Sequence, residues 1–243
     1  MNRVELLLQQ TLSDWQSWSA SKPVVVGTLQ GGLTNHSFLI EAGSLQAVIR
    51  INAENSQCLG IDRQREAEIL SLLQPMGCVP KIHLMNDQVL VSEFIIGHQW
   101  TFDDLKSPAN LKKITQLVNE IQKISLPDNL QRRSYIDYCQ HYIQQLPESR
   151  QVSEKIVIEE LICVAEKIDQ SSWTPVISHH DLVPENLLEA EQGLFLLDWE
   201  YAAYGHPAID FVRLYGEGYS HPDAEDLLAL QKGIDELWSF LQG

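Results

Sequence analysis

S-H-H-D-L-V-P-E-N-L-L-E-A-E-Q-G-L-F-L-L-D-W-E, running from Ser178 to Glu200, is the stretch from which the rest of the chain can be read. It sets a histidine (His179), an aspartate (Asp181) and an asparagine (Asn186) at the spacing H-x-D-x-x-x-x-N, and its apolar run from Leu194 to Leu197 ends in Asp198. The pair Leu187-Leu188 and that apolar run, separated by the turn-like residues 189–193, predict a β-hairpin that sets its flanking residues side by side. Taken singly these residues are commonplace, since an aspartate in a loop is more often a turn former or cap than a catalyst. Together they suit phosphoryl transfer, in which a carboxylate accepts the proton of an attacking hydroxyl. An amide oxygen and a second carboxylate meanwhile hold Mg²⁺ against the phosphates of a nucleotide. On that reading Asp181 is the base, Asn186 and Asp198 are the metal ligands, and His179 is a scaffold residue that fixes the loop backbone.

H-x-D-x-x-x-x-N followed by D-W-E-Y-A from Asp198 resembles the superfamily of aminoglycoside phosphotransferases, choline kinases and thiamine kinases, small-molecule relatives of the protein kinases. D-W-E stands where protein kinases carry D-F-G, and no A-P-E segment follows. The resemblance implies an α+β, two-lobed protein-kinase-like fold. A five-stranded antiparallel lobe (1–97) would bind nucleotide, and a mainly helical lobe (98–243) would carry catalysis and substrate. It also implies ATP and Mg²⁺ as cofactors and the hydroxyl of a small cationic metabolite as acceptor: thiamine first, choline or ethanolamine second, an aminoglycoside third. The rival reading is a kinase-like module that binds nucleotide or metabolite without transferring phosphate. It draws on the short run of residues after D-W-E, where the family builds its substrate pocket.

Composition is consistent with such a partner. Among 243 residues, 17 basic against 33 acidic side chains give a net charge of −16, which repels nucleic-acid backbones and anionic membranes and welcomes a cation. A hydrophobic content of 44% is enough for a core. Cys58, Cys78, Cys139 and Cys163 show neither a C-x-x-C pair nor zinc-ligand spacing, which reads as reduced thiols. With no signal-like apolar start and no run approaching ~18 apolar residues, the expectation is a soluble, cytoplasmic protein.

In chain order, residues 4–18 carry apolar side chains near helical spacing, and strands are predicted at 24–29, 36–42 and 46–51. The turn between the first two, Gly31-Gly32-Leu33-Thr34-Asn35, is a hairpin signal on its own. Its glycines also let backbone N–H groups face phosphate oxygens, with Thr34 and Asn35 as further donors, and it looks like the corresponding loop of choline and thiamine kinases. Arg50 stands where protein kinases place the phosphate-holding lysine, and arginine is common there in the choline and thiamine kinases; the alternative is a surface strand charge. A helix is expected over 61–73, with Glu66 resembling the partner of that basic residue and Glu68 as the rival. Strands at 79–84 and 88–96 follow, and V-L-V-S-E-F-I-I-G resembles an interlobe hinge where backbone groups near Glu93 and Phe94 hydrogen-bond adenine.

Helices are then expected from Ser107-Pro108 to Ile124 and over 132–146, 148–168 and 222–241. Asp210 resembles the family's buried aspartate behind the catalytic loop. Glu200 is either a ligand for a substrate cation or second metal, or a surface charge. Trp199, Tyr201, Tyr204, Tyr215 and Trp238 either bind a cation through their ring faces or pack in the core.

Overall fold

The computed structural model describes residues 2–29, 35–128 and 130–242. Its backbone falls into two compact units. One comprises Met1–Ser56, Asp62–Gln99 and Leu188–Leu197; the other comprises Gln57–Ile61, Trp100–Leu187 and Asp198–Gly243. These units are not the contiguous halves 1–97 and 98–243, since residues 57–61 group with the helical unit and residues 188–197 with the strand-rich one. The hairpin after Asn186 joins the strand-rich unit because its backbone pairs there with β6, at His98↔Glu189 and Gln99↔Leu188.

The strand-rich unit opens on helix α1 (Arg3–Ser13), which starts with a capping box: Asn2 Oδ1 accepts the Glu5 N–H, and the Glu5 carboxylate accepts the Asn2 N–H. Strands β1 (Val24–Leu29), β2 (His36–Ala42) and β3 (Leu45–Ile51) follow, then α2 (Arg63–Leu73), β4 (Ile82–Met85), β5 (Val89–Glu93) and β6 (His98–Gln99). The first five strands make one antiparallel sheet in the order β1-β2-β3-β5-β4. Pairing of Phe38 with Ile49 and of Ile49 with Val91 fixes the register. Alternate residues Ala47, Ile49 and Ile51 then lie on one face, buried with Ile40, Val89 and Val91 beneath Leu7 and Trp18. Arg50, one residue out of phase with that face, meets Glu66 of α2.

Several boundaries differ from the sequence expectation, each for a tertiary reason. The leading helix stops at Ser13 and Trp18 turns back so that its indole N–H donates to Thr11 O. The strand expected from 79 begins at Ile82, because the Gln74 side chain binds Pro80 O and the Ile82 N–H and holds the intervening residues as a connection. The strand expected over 88–96 ends at Glu93, with only the Phe94 N–H still reaching Gln46 O at 3.0 Å.

The second unit contains α3 (Phe102–Leu105), α4 (Pro108–Ile121), α5 (Tyr135–Gln145), α6 (Glu148–Ser153), α7 (Lys155–Gln170) and β7 (Val176–Ser178). The hairpin strands β8 (Leu187–Ala190) and β9 (Gly193–Leu196) come next, and the chain ends with β10 (Ala203–Gly205), α8 (Ile209–Tyr215) and α9 (Ala224–Gln242). Ser107 caps α4 with Pro108 in its first turn. Helix α5 starts at Tyr135, later than expected, because Asp169 at the end of α7 accepts the N–H groups of Tyr135 and Ile136, both at 3.0 Å. The single helix expected over 148–168 is two, broken at Glu154 (φ −99°, ψ 15°). Cys139, Tyr142, Leu161, Ala165, Ile168, Val212, Leu227 and Leu230 form the core that α5, α7, α8 and α9 share. All four cysteines are unbridged, and among the described residues no helix is long and apolar enough to cross a membrane.

Candidate active site

Strand β7 delivers the chain into His179, His180 and Asp181, and it pairs antiparallel with β10 through Ala203↔Ser178 and Gly205↔Val176. His180 adopts a left-handed conformation (φ 65°), unusual for a residue with a side chain. Two sets of contacts hold it there. The Asp210 carboxylate, buried in the first turn of α8, accepts the His179 N–H at Oδ2 (2.8 Å) and the His180 N–H at Oδ1 (3.0 Å). The His180 ring sits between Ser178 O (3.2 Å to Nδ1) and the Tyr135 hydroxyl (3.3 Å to Nε2). Because Ser178 O can only accept, the His180 proton sits on Nδ1 and Nε2 accepts from the Tyr135 hydroxyl, whose oxygen in turn accepts the His206 N–H (2.9 Å). Gly205 is required beneath this ring, since a Cβ there would lie 2.4 Å from His180 Cε1. Burial raises the Asp210 carboxyl above the ordinary aspartate range, and His179 and the two backbone donors offset this only in part.

Beyond this brace, the Asn186 side-chain NH₂ donates to Asp181 O (2.9 Å) and to Asp181 Oδ2 (3.0 Å). The short helical turn Pro184–Asn186 supports the arrangement, with the Asn186 N–H on Val183 O and the Val183 N–H on Asp181 O. With its NH₂ group spent on Asp181, Asn186 turns its amide oxygen away from the carboxylate. Asn186 directly precedes β8 and Asp198 follows β9 by two residues. Because β8 and β9 are neighbours in the three-stranded sheet, these two residues stand at the same open end of the hairpin. Asp198 is itself left-handed (φ 58°) and opens the turn Trp199–Tyr201, and the Trp199 ring packs 4.6 Å from the ring of His179. An amide oxygen and a carboxylate are hard oxygen donors, which fits Mg²⁺ and not a soft metal.

In the strand-rich unit, Arg50 places NH2 2.7 and 2.9 Å from the two oxygens of Glu66, and its Nε donates to Asn52 Oδ1 at 3.0 Å. The choice left open by sequence falls on Glu66: Glu68 is exposed and accepts from Gln64 along the helix surface. Arg50 is not a surface strand charge either, with its side chain 11% exposed. Arg63, which sequence reasoning passed over, takes the other side of Glu66 at 2.7 Å; its only local signal was the i,i+3 spacing R-x-x-E. Burial pushes the Glu66 carboxyl up, but Arg50 and Arg63 outweigh it and hold the group below the ordinary glutamate value.

A depressed carboxyl contributes stability that is present above the unfolded value and is lost as pH falls through the folded one. Glu66→Gln should therefore cost about 3 kcal/mol at pH 7. The gap to wild type should narrow below about pH 4.3. Denaturant unfolding between pH 7 and 3 measures it, and a gap that does not change with pH contradicts the assignment.

Asn35 reaches this cluster, its Oδ1 accepting from the Ala53 N–H (3.1 Å) and Arg63 NH2 (3.2 Å). Gly31, Gly32 and Thr34 lie outside the described residues. Of the backbone groups expected near the hinge to meet adenine, the N–H of Glu93 is bonded to Lys81 O (2.8 Å) and that of Phe94 to Gln46 O (3.0 Å). Gly97 packs against β8, where a Cβ would lie 2.5 Å from Glu189 O.

Glu200 is 2% exposed, so the surface-charge reading fails. Trp199 and Tyr204 are buried core residues, whereas Tyr201, Tyr215 and Trp238 are half-buried. His206, His221 and Asp223 also come together. His206 Nδ1 accepts the Ala208 N–H (3.1 Å), which leaves its proton on Nε2 facing Asp223 Oδ2 (3.2 Å), so the lone pair a metal would need is already used.

The family model for choline/ethanolamine kinases matches residues 26–224. A probable ethanolamine kinase from Arabidopsis thaliana is 23% identical over 236 residues, covering 89% of this chain and 62% of its own length. The chain thus spans less than two thirds of that relative. Choline kinase LicA from Streptococcus pneumoniae superposes with a TM-score of 0.76 at 21% identity, covering 99% of this chain and 91% of the other. LicA in complex with AMP gives 0.79 at 21% identity, over 100% and 91% of the two chains. At such identity these structures are likenesses of fold. The family match and the relatives carry the names of choline and ethanolamine, which reverses the expectation that put thiamine first. With its match running from β1 to the first residue of α9, the chain belongs to the choline/ethanolamine kinase family.

Proposed function

We propose that the protein is a phosphotransferase that moves the terminal phosphoryl group of ATP, with Mg²⁺, onto the hydroxyl of choline or ethanolamine. The observation that carries this reading is the Asp181–Asn186 pair: one side-chain amide holds the carboxylate at Oδ2 while presenting its own carbonyl oxygen elsewhere. Asp181 orients the acceptor hydroxyl and takes its proton as the new O–P bond forms. Asn186 and Asp198 hold Mg²⁺, which when bound neutralises phosphate charge. Arg50, fixed by Glu66, meets the phosphate oxygens as charge develops. His179 acts through packing and its backbone, as its place between Asp210 and Trp199 supports. The net charge of −16 favours either cationic acceptor.

The test is ADP release from Mg-ATP with choline, ethanolamine, thiamine and an aminoglycoside offered at equal concentration. Choline or ethanolamine is expected to give the highest kcat/KM, by at least about tenfold, the ratio a single well-fitted pocket contact provides. Turnover with thiamine alone, or with none of the four, overturns the reading.

A further inference from the structure

We propose that Arg63 is a positioning residue for the nucleotide triphosphate, locking the Arg50–Glu66 pair to the foot of the glycine-rich segment. This rests on the reading above that Arg50 contacts phosphate. Arg63 is 8% exposed at the start of α2, and among the described residues its guanidinium reaches Glu66 Oε2 at 2.7 Å, Ser56 Oγ at 3.1 Å and Asn35 Oδ1 at 3.2 Å. Asn35 directly follows Gly31-Gly32-Leu33-Thr34 and is also tied to the Ala53 N–H. One planar fork therefore joins α2, the connection after β3 and the chain leaving the glycine-rich segment.

The geometry at Glu66 shows what the fork does. Arg50 binds both carboxylate oxygens through a single nitrogen, an arrangement that leaves the carboxylate able to swing about its own torsions. Arg63 takes Oε2 from another side and removes that freedom. Glu66 is 1% exposed, so bulk solvent does not weaken these contacts, and they help fix the position of Arg50 alongside its bond to Asn52. Arg63 does not touch phosphate on this account; it decides where Arg50 stands when phosphate arrives. A lysine could keep the Glu66 contact but could not reach Ser56 and Asn35 with the same planar fork.

The experiment is calorimetric titration of the intact chain with a Mg²⁺-bound non-hydrolysable ATP analogue and, separately, with AMP. Arg63→Gln should weaken the triphosphate by about tenfold, the order of one charge-assisted hydrogen bond, and leave AMP within about twofold. Arg63→Lys should fall between Arg63→Gln and wild type. A purely structural role would instead weaken both nucleotides alike or neither, and either result overturns the proposal. Arg50→Ala, titrated in parallel, separates the two levels of the argument. If it leaves triphosphate affinity unchanged, the phosphate role of Arg50 fails and Arg63 falls with it; if it weakens the triphosphate and Arg63→Gln does not, only the role of Arg63 fails. Should Arg63→Gln not fold, judged by its melting curve, Arg63→Lys and Ser56→Ala carry the test. A triphosphate-to-AMP affinity ratio equal to wild type in both overturns the proposal.

Discussion

Asp181→Asn is expected to lower turnover by about 10³-fold, within the range by which a positioned general base accelerates proton transfer. The substitution is nearly isosteric, and the new amide oxygen can accept from Asn186 Nδ2 in place of Asp181 Oδ2, so the loop should keep its shape. What is lost is the ability to take a proton. On the proposed mechanism, affinity for Mg-nucleotide should stay within about twofold, because Asp181 is not one of the proposed metal ligands. Asp198→Asn makes the complementary case, removing a charged metal ligand so that nucleotide affinity becomes less Mg²⁺-dependent. Parallel measurement of ADP release with choline and of nucleotide binding resolves the two. Turnover by Asp181→Asn within tenfold of wild type would take Asp181 out of the proton-transfer step.

The parts of this molecule that depend on near neighbours were legible in the sequence. Strand β2 (His36–Ala42) carries the bounds its alternation implied, and Ser107-Pro108 starts α4 as its capping chemistry requires. The Asp181–Asn186 pair is just as local, its members five positions apart with a helical turn to close them. What was not legible is set by partners far along the chain. Glu66 and Glu68 have the same chemistry and lie two residues apart; only the tertiary placement of Arg50, sixteen positions away from Glu66, separates them. Arg63 looked like one more charge on an amphipathic helix because its acceptors Asn35 and Ser56 lie in other segments. The late start of α5 depends on Asp169, more than thirty residues downstream. Likewise, the brace on His180 draws on Tyr135, Gly205 and Asp210, and no window of sequence contains all of them.

That brace is the basis of the second large effect. Asp210→Ala removes the acceptor of two N–H groups whose carboxylate partner is 3% exposed. Each donor left without a partner away from water costs about 1–3 kcal/mol, so a total loss of roughly 4 kcal/mol is expected, or ~10 °C in Tm for a chain of this size. The larger consequence is for chemistry. His180 holds a left-handed conformation that costs a residue with a side chain on the order of 1–3 kcal/mol, and it persists only while its surroundings impose it. Without Asp210, the backbone can relax toward an ordinary conformation and carry Asp181, the next residue, with it. Turnover should then fall by more than 10²-fold even at temperatures where the variant is folded, since displacements near 1 Å have that effect.

Asp210→Asn keeps one acceptor and turns an NH₂ group toward the other N–H, so it should lie between alanine and wild type in stability. His180→Gly made in the Asp210→Ala background provides the internal control. Glycine adopts a positive φ without a side-chain penalty. The double variant should therefore unfold less readily than the sum of the single losses, each measured by denaturant titration. Strict additivity would mean that Asp210 does not act by imposing the backbone of His180. Wild-type turnover in folded Asp210→Ala would mean that the catalytic loop holds Asp181 in place by itself.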